Sequence, residues 1–102
     1  MKQVSEHAKI LFSLINNARE ICCVHNEYKM ARDVIRSFDK ISKGLGFEIE
    51  DHIIKHFLSN IGVKPPYIMN IEFNKLAALV GKIDYKLDKE TLTGKQKNGK
   101  HK

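Results

Sequence analysis

Two short spacings of metal-ligating residues are the first features of this chain that could do chemistry. Cys22 and His25 stand three apart, and His52 and His56 stand four apart. A Cys-x2-His pair and a His-x3-His pair are the ligand types zinc accepts in tetrahedral geometry, and histidines four apart on a helix can share one ion. Geometry argues against a joint site. In an up-and-down bundle Cys22 and His25 close the first helix, while a third helix reaches that end only near Ile61. At a rise of about 1.5 Å per residue, His56 then lies about 7 Å below that end and His52 about 13 Å. A smaller ridge of Glu48, His52 and His56 remains, which reads as a solvated face beside the core. No metal and no cofactor is expected.

Catalytic residues are not expected either. Gly44-Leu45-Gly46 lacks the later glycine and the preceding strand of a dinucleotide loop. No serine or cysteine sits in a nucleophile context, and carboxylates such as Glu48, Glu50 and Asp51 read as helix-start charges. Adjacent cysteines on a helix point about 100° apart, so Cys22 and Cys23 cannot bridge each other there. Cys22 reads as a small apolar residue facing the core, with Cys23 at its edge.

The elements that position these residues are written in the apolar spacing. Forty-three residues precede the first glycine or proline, and they carry two helical seams out of phase. The first, Val4, Ala8, Leu11, Ile15, Ala18, Cys22, alternates four and three. The second starts late and runs Val24, Tyr28, Ala31, Ile35, Phe38. The phase break predicts a reversal near His25-Asn26-Glu27 and a helical hairpin.

Helix one is expected over Val4 to Cys23, starting near Ser5, and helix two over Asn26 to Lys43 with Asn26 as N-cap. Gly44-Leu45-Gly46 ends the second. Helix three is expected over Glu48 to Asn60 and is stopped by Gly62. Pro65-Pro66 reads as part of an extended connector over 63–69. Asn70 is then the N-cap of helix four, whose stripe is Phe73, Leu76, Ala77, Val80, Ile83 and Leu87. Gly81 in its middle suggests a close helix crossing, and the alternation over 83–88 leaves a short strand open. Phe57-Leu58-Ser59-Asn60-Ile61-Gly62-Val63 resembles a helix end in a small phage anti-sigma protein; it covers seven residues of a common stop pattern and carries no function across.

The chain of 102 residues, 42% hydrophobic and 29% charged, suits one globular domain. The fold class expected is all-α: a small four-helix bundle-like domain of two helical hairpins over 1–88, followed over 89–102 by a flexible, disordered basic tail. Net charge is +6. It is concentrated after Asn74, and beyond Glu90 the residues Lys95, Lys97, Lys100 and Lys102 have no acidic neighbour. No apolar run exceeds Leu76 to Val80, far short of the roughly 20 residues a membrane span needs. The N-terminal residues Glu6, His7 and Lys9 do not suit a signal peptide, so a cytoplasmic location is expected.

Helix one carries more apolar surface than one neighbour covers. Ile10, Leu14 and Ile21 form a second strip about 100° from the seam. Either helix one is the central helix, packed on two sides, or this strip meets another chain. The function expected is a small non-enzymatic interaction protein, accessory, regulatory or inhibitory, binding a protein partner or forming a homodimer through Ile10, Leu14 and Ile21. The alternative is nucleic-acid binding through Arg19, Lys29, Arg32 and Arg36 together with the tail lysines.

Overall fold

The computed structural model describes the backbone of residues 4–100 and the side chains of residues 4–88. The fold is all-α, with α1 at Glu6–Cys23, α2 at Tyr28–Gly44, α3 at Asp51–Asn60 and α4 at Pro66–Lys100. The backbone of residues 89–100 continues α4 as helix where a disordered tail was expected, while residues 101–102 and the side chains of Lys95, Lys97, Lys100 and Lys102 fall outside the residues so described.

The first seam forms α1 as its spacing dictates. Ala8, Leu11, Ile15, Ala18 and Cys22 are all buried. Ser5 is the N-cap, and its Oγ accepts the Ala8 N–H at 3.1 Å. The chain reverses where the two seams lose phase, over Val24–Glu27. Asn26 makes that turn with φ +56°, a left-handed conformation that asparagine tolerates better than most side chains. This corrects the expectation for helix two: Asn26 is the turn residue and not the N-cap. Glu27 takes the cap position without a side-chain cap bond. Val24 is 61% exposed, so the second seam starts at Tyr28 and continues past Phe38 to Ser42.

Helix three starts at Asp51, three residues later than its spacing predicts. Phe47 to Glu50 is extended, with Phe47 and Ile49 buried and Glu48 and Glu50 exposed. Two-residue alternation lets both large side chains plug the end of the core from a short segment, which one helical turn would not allow. The connector is also shorter than the expected 63–69. Pro66 opens α4, because proline's fixed φ suits a first helical position and its missing N–H costs nothing there. The Pro65 carbonyl accepts from both Ile68 and Met69 N–H at 3.0 Å, and Asn70 lies inside the helix. Residues 83–88 are helical, which removes the strand alternative.

Hydrogen bonds and side-chain contacts fix the helix directions. Ser5 meets Asp84, Phe12 meets Gly81 and Cys23 meets Pro66, so α1 and α4 run antiparallel. The Arg32 guanidinium donates to the Ile61 carbonyl at 2.9 Å, and Lys43 bonds Asp51 at 2.8 Å, so α2 and α3 also run antiparallel. Phe57 of α3 meets Phe73 of α4 edge to face, with ring centroids 4.8 Å apart and planes at 82°. Helix α1 packs along both α2 and α4. It is the central helix, flanked on two sides.

Gly81 does not mark a tight crossing. A Cβ placed there would meet only the Phe12 ring, at 3.9 Å, an ordinary contact. Gly62 differs, with φ +86° and a would-be Cβ 3.3 Å from the Tyr28 ring. Glycine is required here both for the left-handed backbone and for the approach of the α3 end to α2.

Candidate interaction surface

The residues proposed from sequence as a binding strip lie on the flank of α1 that borders α2. Leu14 and Ile21 are half-buried against the core, while Ile10 is 48% exposed. The central position of α1 therefore accounts for part of the strip and leaves the rest at the surface. Helix α2 adds a wall that the spacing of α1 alone does not show. Between the two helices lies a groove of 410 Å³ lined by Leu14, Asn17, Glu20, Ile21 and His25 of α1 and its turn, and by Val34 of α2.

Helical spacing extends the groove in both directions. On α1, Ile10, Leu14, Asn17 and Ile21 follow a rhythm of four, three and four. On α2, Met30, Val34, Ser37 and Ile41 follow the same rhythm. At about 100° per residue each set occupies one stripe, and Leu14, Ile21 and Val34 fix both stripes on the groove between α1 and α2. Met30 is 53% exposed and Ile41 39%. Asn17 and Ser37, the third member of each set, are exposed, polar and uncharged. The result is a two-helix groove with apolar residues at both ends of each stripe, one small polar group from each helix near its middle, and Glu20 and His25 on its border.

The basic residues do not form a comparable surface. Arg32 is committed to the Ile61 carbonyl and Arg36 to Asp33 at 3.0 Å. Lys29 is exposed. By helical spacing Arg19 stands on the α4-facing flank of α1, beside Phe12, whereas Arg32 lies on the α3-facing flank of α2. Lys29, Arg32 and Arg36 follow a three-four spacing along one side of α2, and Arg19 on α1 stands apart from them.

His52 and His56 come together on one groove, away from His25. Glu48 sits in the extended segment before α3, so Glu48, His52 and His56 do not form one helical ridge. His52 Nδ1 faces Glu50 at 4.0 Å, both side chains being exposed. His52 and His56 rim a groove of 320 Å³ between α3 and α4, with Glu72 and Lys75 opposite and Ile53, Phe57, Leu76 and Leu79 below. Among the described residues no three of His, Cys, Asp and Glu are grouped to hold a metal ion. No helix among them is long and apolar enough to cross a membrane.

Lys43 joins the ends of α2 and α3 by reaching Asp39 at 3.3 Å and Asp51 at 2.8 Å. These hydrogen bonds hold the ammonium above its ordinary pKa and the Asp51 carboxyl below its own. Both groups are exposed, so the bridge orients the corner more than it stabilises it.

Cys22 behaves as an inert seam residue. Burial first, then the neighbouring Cys23, pushes its thiol up to about 11. Cys23 is half-buried, and its thiol faces the Pro66 carbonyl at 3.6 Å. In native protein near pH 8, a thiol-alkylating reagent is expected to label Cys23 and spare Cys22, with both labelled in denaturant; mass mapping reads the difference, and equal native labelling contradicts it. The raised folded value also sets a sign for stability. From the ordinary value of 9.0 up to about 11 the unfolded chain ionises this thiol before the folded one does. Its contribution, present below that window, is lost as pH rises through it.

Compared with known proteins, the chain matches no family model, no curated protein and no solved structure.

Proposed function

We propose that this chain is a non-enzymatic interaction protein whose binding surface is the outer α1/α2 face. The observation that carries the reading is the pair of matched stripes, Ile10-Leu14-Asn17-Ile21 and Met30-Val34-Ser37-Ile41, flanking one groove. Single exposed apolar residues are ordinary on small proteins, but here Ile10, Met30 and Ile41 are gathered around one groove with Leu14, Ile21 and Val34 on its walls, which supports an association surface. Charge is absent from both stripes, and depletion of charge at the centre is the compositional sign that separates interface cores from the remaining surface. The apolar floor supplies affinity, while Asn17 and Ser37 give hydrogen-bonding groups that penalise a misaligned partner.

The reading is tested with a photo-crosslinking side chain placed at Ile10 or Ile41, and as a control at Ile71, which is 49% exposed on α4. In source cells the first two positions are expected to give protein adducts well above the third. Equal yields at all three positions, or adducts to nucleic acid only, overturn it.

A further inference from the structure

We infer that the partner on the α1/α2 face is a second copy of this chain, docked antiparallel about a two-fold axis passing near Asn17 and Ser37. This rests on the preceding reading of that face and names its occupant. A two-fold interface brings the same patch together from both copies, so the patch must be complementary to itself. Strongly charged faces fail this requirement through like-charge repulsion; this one meets it at its centre, where the stripe residues are uncharged and the ionic side chains stand at the rim.

The rim adds a direction. Glu20 lines the groove toward the hairpin turn, and Lys40 lies toward the other end of α2. Both are exposed, and among the described residues neither is in an ion pair within the chain. Antiparallel docking sets the turn end of one copy over the open end of the other, so Glu20 and the second copy's Lys40 lie at the same end of the interface, on opposite sides of the groove. At the centre, Asn17 and Ser37 of one copy meet the same pair on the other, so a slipped register would bury these polar groups against isoleucine.

Size sets the strength of the assembly. An α1 of 18 residues is about 27 Å long. Two helices side by side are roughly 20 Å wide, which gives about 500 Å² on each copy. A pair burying about 1,000 Å² in total lies below the roughly 1,200 Å² at which stable specific interfaces begin, so the dimer is expected to be weak and reversible.

The test uses the full chain and two charge variants, Asn17→Lys with Ser37→Lys, and Asn17→Glu with Ser37→Glu. The substituted residues are exposed, and both replacements suit helices, so circular dichroism should show unchanged folding. Sedimentation equilibrium is expected to show a concentration-dependent dimer for the unmodified chain. Each variant alone should dimerise about 100-fold more weakly or worse, and a one-to-one mixture should regain assembly. A chain that stays monomeric to millimolar concentration overturns the inference, as does a mixture no tighter than its components. Protein adducts at Ile10 combined with a strictly monomeric chain would sink the second copy and leave the binding face standing; loss of both results would sink the two readings together.

Discussion

Phe73→Ala is expected to remove about 3 to 5 kcal/mol of stability, the typical cost of emptying a fully buried aromatic site. Phe73 is 0% exposed and is the ring against which Phe57 packs, so its loss opens a cavity and also releases α3 from α4. Natural domains of this length are stable by only about 5 to 15 kcal/mol. The melting temperature should therefore fall by about 15 °C or more. Tyr67→Ala gives the contrast. Tyr67 is 71% exposed, and its removal should change stability by no more than about 0.5 kcal/mol. Urea unfolding of both variants checks the pair, and similar costs would contradict the packing of α3 on α4.

Asp84→Ala is expected to cost about 2 kcal/mol although no apolar packing is lost. Asp84 is 7% exposed and accepts twice from Ser5, from the hydroxyl at 2.5 Å and from the backbone N–H at 3.2 Å. Ser5 in turn caps α1 through the Ala8 N–H. One carboxylate on α4 thus places its charge at the positive end of the α1 dipole and fixes the hydroxyl that caps it. Hydrogen bonds to a charged acceptor contribute about 1.5 to 3 kcal/mol each, and part of that is recovered by water after the substitution. A double-mutant cycle with Ser5→Ala should show strong coupling, the pair costing much less than the two single changes together. Additive costs would mean that Asp84 acts through something other than Ser5.

Both residues show what could be read in the chain before folding. The apolar rhythm disclosed α1, most of α2 and the reversal between them, because periodicity reports directly which face must be buried. It stopped at polar residues. Ser42 and Asp84 occupy seam positions and are buried, each satisfied by a partner that the rhythm does not show: Ser42 donates to the Asp39 carbonyl, and Asp84 accepts from Ser5, seventy-nine positions away. The start of α3 was misjudged because Phe47 and Ile49 fit a helical stripe as well as an alternating strand-like segment. The start of α4 was misjudged because Pro65-Pro66 was treated wholly as a breaker, when the second proline favours a first helical turn.

The candidate surface was half legible. Ile10, Leu14 and Ile21 stood out because α1 carried more apolar residues than one seam could use. Met30, Val34 and Ile41 drew no attention, since α2 already had a complete seam and its excess looked like scatter. The four-three-four spacing of Met30, Val34, Ser37 and Ile41 was the available signal. It gains meaning only when the hairpin lays it beside its counterpart on α1, a relation between two helices that neither spacing contains alone.

Methyl-labelled isoleucine spectra with a soluble paramagnetic probe test the central claim most directly, because the isoleucines sample both the proposed interface and the rest of the surface. As protein concentration rises, the Ile10 and Ile41 methyls should become protected from the probe while Ile71 keeps its full exposure. Ile10 and Ile41 remaining as accessible as Ile71 at every concentration would contradict self-association through the α1/α2 face.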